Sequence, residues 1–199
     1  GNFMQQIEPG APFDLFLSAD EAYAERLAAK GFTRDAGTLY AIGRVALFVP
    51  RGSPLVADPA LADLALAVRD GRVRRFAIAN PEHAPYGRAA RDVLQHAGLW
   101  DAISPSLVLG ENASQAMQFA AGGGAQGGIV PWSLTKAPEV AKLGTAALLP
   151  AQWHRPLRQK MVLMKSAGPP AAAFHAYLGS PEARKIFVRH GFAMPGESG

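Results

Sequence analysis

Short apolar runs alternate along this chain with stretches in which apolar residues recur every three or four positions. That is the pattern of strands interleaved with helices. Phe76-Ala77-Ile78-Ala79 reads as a short buried strand. It ends at Asn80-Pro81, because a proline holds the residue before it in extended geometry. Beyond Pro85-Tyr86-Gly87 the spacing becomes helical, with Ala89, Ala90, Val93, Leu94 and Ala97 on one face. The arrangement then repeats. Ser106 to Gly110 is a second short strand, Glu111-Asn112-Ala113-Ser114 a second junction, and Ala116, Met117, Phe119 and Ala120 mark the helix that follows.

The flanking sequence continues the alternation. Pro12 to Ser18 is a near-continuous apolar run of the kind buried on both faces of a parallel sheet. Ser18 and Glu21 form a capping-box pattern for a helix reaching about Lys30, and Gly31 is its stop. Tyr40 to Pro50 reads as one long extended run, Pro50 to Pro59 as a linker, and Leu61 to Arg69 as a short helix. Gly128–Pro131 and Met161–Met164 are further strands. From Pro169 the chain is helical, its last helix capped by Ser180 with Pro181 at the first helical position. The prediction is an α/β fold with mostly parallel sheets. The extended runs at 40–50 and about 156–165 bracket a middle block. The expected organisation is an outer lobe of residues 1–48 and 157–199, with residues 49–156 as an inserted second lobe. A small ligand would sit in the cleft between two such lobes.

Composition narrows the chemistry. The chain has 199 residues, of which 49% are hydrophobic and 18% charged, enough for two core-forming lobes. It has no cysteine, which excludes disulfides and thiolate ligation or catalysis. A net charge of +4 suits anionic partners. The basic residues are scattered, however, and the dense run Arg69 to Arg75 reads as a solvated loop rather than a nucleic-acid site. No apolar stretch approaches the roughly 20 residues of a membrane-spanning helix. His83, His96, His154, His175 and His190 show no metal-ligand spacing, and no Gly-x-Ser-x-Gly elbow is present. Nothing in the pattern indicates an enzyme.

The two strand–loop–helix junctions do indicate chemistry. A helix start leaves backbone N–H groups unpaired, and with the macrodipole they attract anions. Gly87 permits close backbone approach, Asn112 and Ser114 are N-cap types, and Ala113 leaves room against its amide. Two such termini facing one site would surround an oxyanion with donors and need no counter-charge. An ordinary pair of connections in a doubly wound domain has the same sequence pattern.

Gln6 to Glu21 (QIEPGAPFDLFLSADE) resembles a signature of periplasmic molybdate-binding proteins, the solute receptors of molybdate ABC transporters. The resemblance continues through Tyr40 to Leu47, Asn80 to Gly87 and Ala183 to Pro195. It implies a two-lobed type II periplasmic binding protein fold, each lobe a mostly parallel sheet flanked by helices and the two joined by two crossing strands. It further implies a molybdate or tungstate ligand without a cofactor or metal ion, a membrane permease as partner, and a periplasmic location. Tyr86 and Ala113 fall where the family offers backbone N–H groups to the oxyanion. Gly87, Asn112 and Ser114 flank them. Gly1 and Asn2 fall next to the serine or threonine/asparagine contacts of the first lobe, which by this resemblance lie in a strand–helix–strand segment upstream of Gly1. Pro131 stands where many members have a ligand-binding tyrosine. Three other readings fit the same fold: a ligand-sensing effector domain of a transcription regulator, a receptor for another oxyanion such as sulfate, and an enzyme on this scaffold.

Overall fold

A computed structural model describes residues 2–196, with the side chain of Asn2 outside the description. The chain divides into two units, residues 1–43 with 157–199, and residues 44–156. It passes from one to the other at Gly43–Arg44 and returns at Pro156–Leu157.

The first unit begins with α1 (Asn2–Ile7), β1 (Leu15–Ser18), α2 (Glu21–Ala29) and β2 (Thr38–Gly43). The second contains β3 (Val45–Pro50), α3 (Ala62–Arg69), β4 (Phe76–Ala79), α4 (Pro85–His96), α5 (Trp100–Ile103), β5 (Leu107–Gly110), α6 (Ala113–Ala121), β6 (Gly127–Pro131), α7 (Trp132–Thr135), α8 (Pro138–Ala141) and β7 (Gly144–Leu148). The first unit is completed by β8 (Leu157–Leu163), α9 (Pro169–Leu178) and α10 (Pro181–Arg189).

In the first unit β8 lies between β1 and β2 and runs antiparallel to both. The expectation of a mostly parallel sheet therefore does not hold for these strands. Met4, Ile7, Phe16, Ala24, Leu27, Val162 and Met164 form the core on which α1 and α2 pack. The helix expected after Ser18 is present, but its cap is Asp20, whose carboxylate accepts from the Ala22 amide. Ser18 is the last strand residue, and its hydroxyl is spent on the Asp20 backbone. Gly31 follows the helix at φ 77°, as expected of a stop residue. Ser180 caps α10 from the Ala183 amide, again as expected.

The extended run Tyr40–Pro50 is two strands. Gly43 pairs with Leu157 in the first unit, whereas Val45 pairs with Pro131 in the second. Arg44 is the link, and its carbonyl accepts from the Trp132 amide.

The second unit holds a five-stranded sheet in the order β5-β4-β6-β3-β7. Here β5, β4 and β6 are parallel, while β3 and β7 add antiparallel pairings. Each of β3, β4 and β6 is buried throughout. The chain leaves β4 through α4 to reach β5 on one side, then through α6 to reach β6 on the other. Right-handed crossovers in opposite directions put these helices on opposite faces. Ala77 and Ala79 face α6, packing with Met117, Ala120 and Ala116.

A candidate oxyanion site at paired helix N-termini

The site begins with the parallel pairing of β4 and β5. Ala79 lies opposite Gly110, so both strands deliver their loops at the same end of the sheet. The Asn80 amide still donates to the Gly110 carbonyl at 2.7 Å, which carries the ladder one step past β4. Helices α4 and α6 then begin side by side. Ligands of open α/β sheets gather at such carboxyl ends, where the strand order reverses.

The α6 start has a side-chain cap. Asn112 is extended (φ −150°, ψ 175°), and its Oδ1 accepts from the Gln115 amide at 2.9 Å. Its carbonyl takes the Ala116 amide. The amides of Ala113 and Ser114 precede these bonds and point out along the helix axis. Ala113 is half-buried, and Ser114 is exposed at the second helical position rather than at the cap.

The α4 start has no side-chain cap. Ala84 stands at the cap position, and Pro85 occupies the first helical position, where its missing N–H costs nothing. The Gly87 and Arg88 amides turn back to the Ala84 carbonyl at 3.0 and 3.1 Å. Tyr86, at the second helical position between these groups, presents its amide at the helix end while its ring is buried.

Two glycines set how closely these helices approach. A Cβ on Gly87 would stand 2.2 Å from the Ala79 carbonyl oxygen, so the need for glycine comes from the strand beneath it. The strand alone therefore demands glycine at 87, whether or not a ligand also approaches there. A Cβ on Gly110 would stand 2.5 Å from the Ala116 amide nitrogen. The helices are thus pressed against the sheet at the point where their amides emerge.

Of the other sequence-predicted positions, Gly1 lies outside the described residues, as does the side chain of Asn2. Pro131 is the buried last residue of β6 and opens α7. Among the described residues no group of three or more His, Asp or Glu side chains could hold a metal ion. No helix among them is long and apolar enough to cross a membrane.

Sequence reasoning missed two histidines here. His83, in the β4–α4 loop, reaches across to the β5–α6 loop, its Nε2 lying 3.0 Å from the Glu111 carbonyl and 3.5 Å from the Glu111 carboxylate. The sequence carries no signal for such a cross-loop contact. His154 is buried beside α4. Its Nδ1 faces the Arg155 carbonyl at 2.8 Å, and burial lowers its pKa below the ordinary histidine value. Nearby, Arg155 grips Asp92 of α4, and Trp153 stacks on His96 with ring centroids 4.8 Å apart.

Residues 1–193 match a family model described as bacterial extracellular solute-binding protein. The chain is 36% identical over 195 residues to molybdate-binding protein ModA of Rhodobacter capsulatus, covering 96% of this chain and 73% of that one. It is 34% identical to ModA of Azotobacter vinelandii, over 98% and 76% of the two chains. Among solved structures, the periplasmic molybdate-binding protein of Azotobacter vinelandii superposes with a TM-score of 0.83 at 30% identity, covering 98% of this chain and 84% of that one. The sulfate-binding protein SubI of Mycobacterium tuberculosis H37Rv shares the fold, with a TM-score of 0.75 at 17% identity over 98% of this chain and 73% of that one.

Proposed function

Because this chain belongs to the ModA family of bacterial extracellular solute-binding proteins, a family of receptors rather than enzymes, we infer that its ligand is a tetrahedral oxyanion, molybdate or tungstate. The oxyanion seats at the carboxyl end of β4 and β5. It accepts from the backbone amides of Tyr86 and Ala113, with Ser114, Asn112 and Gly87 around them. The protein works in the periplasm and hands the ion to the permease of a molybdate ABC transporter.

One observation carries this reading. Two helices, α4 and α6, start at the same end of adjacent parallel strands, with the second amide of α4 (Tyr86) and the first of α6 (Ala113) at the tips. Amides fixed in this way bind an anion without reorganising. Each charge-assisted hydrogen bond contributes about 1.5–3 kcal/mol. Selectivity follows from the same rigidity: donors set for a large ion lose contacts when sulfate, which is smaller, takes its place.

The test is a thermal-shift series followed by calorimetry, with molybdate, tungstate, sulfate and phosphate at equal concentration. A ligand that binds only the folded state stabilises it by about 2.7 kcal/mol at a hundredfold excess over its Kd. Stabilisation by molybdate and tungstate alone is the expected result. Equal stabilisation by sulfate would overturn the assignment.

A further inference from the structure

The carboxyl end of the β4–β5 pair carries one side chain that spans the two loops beyond the strand ladder. His83 leaves the β4–α4 loop three residues before Tyr86, and its Nε2 meets the Glu111 carbonyl two residues before Ala113. A carbonyl oxygen only accepts, so Nε2 carries the proton in this contact. Through it the loop before Tyr86 is tied directly to the loop before Ala113.

We propose that His83 is a positioning residue that fixes the gap between the α4 and α6 amides, and so sets the size of oxyanion the site prefers. The proposal rests on the oxyanion reading above and adds the residue that enforces its selectivity. Three contacts hold the two loops in register at different distances from the sheet. Ala79 pairs with Gly110 at the end of the ladder, and the Asn80 amide bonds the Gly110 carbonyl just beyond it. His83 acts furthest out, nearest the amides. Both ends of its contact are themselves anchored. The His83 and Ala84 amides turn back to the Asn80 carbonyl, and the Glu111 amide donates to the Gln115 side chain at 2.7 Å. A load on either loop therefore passes through the imidazole to the other.

The contact also governs charge. The Glu111 carboxylate sits one residue before the α6 cap, where it would compete with an anion for the helix terminus. The imidazole Nε2 stands 3.5 Å from that carboxylate, on the side of the α4 loop. Losing the ring releases the gap and the carboxylate together, and both changes favour a smaller or less selective site.

The experiment compares wild type with His83→Gln, His83→Asn and His83→Ala, measuring the Kd of molybdate and of sulfate by calorimetry and the melting temperature without ligand. Gln carries an amide N–H that reaches the Glu111 carbonyl; Asn is too short and Ala has no donor. The expected result is that His83→Gln keeps the ratio of the two Kd values within about threefold. His83→Asn and His83→Ala should lower it tenfold or more. A merely structural role would lower melting temperature and both affinities in parallel and leave the ratio alone, and that outcome overturns the proposal. So does an unchanged ratio in all three variants, or an equal loss in Gln and Asn. Should the Ala variant not fold, the Gln–Asn pair still decides. Wild type without affinity for molybdate would overturn the oxyanion reading itself, an outcome separate from any difference among the variants.

Discussion

The two helix starts of the second unit solve the same problem by different means. Helix α6 relies on a polar side chain: Asn112 takes the Gln115 amide and leaves the first two amides at the tip. Helix α4 has no such cap and relies on shape instead. Pro85 supplies a preset helical φ, and Gly87 lies flat against the Ala79 carbonyl. Its outer side is strapped by residues 153–155, through the Trp153–His96 stack and the Arg155–Asp92 pair. The lesson is that one terminus is held by a bond that can be deleted cleanly, the other by packing that cannot be altered without moving backbone.

The strongest way to test this difference is to add a methyl group at each glycine. Gly87→Ala places a carbon 2.2 Å from the Ala79 oxygen and should destabilise the protein by on the order of 3 kcal/mol in urea unfolding, with loss of oxyanion binding. Gly110→Ala meets the Ala116 amide nitrogen at 2.5 Å and should act in the same direction on the α6 side. A change below about 0.5 kcal/mol in either would show that the helices are not pressed against the sheet as described.

Removing the cap is a smaller change. Asn112→Ala should cost about 1 kcal/mol and weaken oxyanion binding through fraying of the first turn of α6. If stability does not move, the Asn112 bond is not what holds this terminus.

Acid should act on the α4 side through His154. Burial keeps His154 neutral in the folded protein, with its pKa below the unfolded value near 6.5. Below that value the unfolded chain binds the extra proton, so stability is complete above it and falls as pH drops toward the lower folded pKa. Urea midpoints at pH 7 and pH 5 should differ more in wild type than in His154→Gln. Equal pH dependence in the two would remove His154 from the account. The smallest effect belongs to Arg155→Ala. Its side chain is 72% exposed, so losing the pair with Asp92 should cost less than about 1 kcal/mol.

Much of this arrangement was legible in the chain. The strands β4, β5 and β6 stand close to where their apolar runs stop, because each run is bounded by a proline, a glycine or a cap residue. The starts of α4 and α6 were legible for the same reason. Strand direction was not, since an apolar run reads alike in either sense; hence the antiparallel β1-β8-β2 sheet went unforeseen. The break at Arg44 was hidden because both halves of the run 40–50 have strand composition. Strand β7 was missed because Gly144-Thr145-Ala146-Ala147 offers neither alternation nor bulk, and Gly144 is there to fit beneath the Val49 carbonyl. The His83–Glu111 contact joins residues 28 positions apart, beyond the reach of any local pattern.

The place of β8 has a consequence for the order in which the protein can be made. The second unit is one continuous stretch, residues 44–156, and its sheet can close as soon as β7 has been synthesised. The first unit is split around it, and the missing piece is the middle strand. Until β8 arrives, β1 and β2 have no partner between them, although both were translated more than a hundred residues earlier. Released chains truncated after residue 156 should therefore contain a protease-resistant second unit while β1 and β2 lack the strand that pairs with both. The starts of α4 and α6, proposed above as the oxyanion contacts, would be ready before β8 joins β1 and β2.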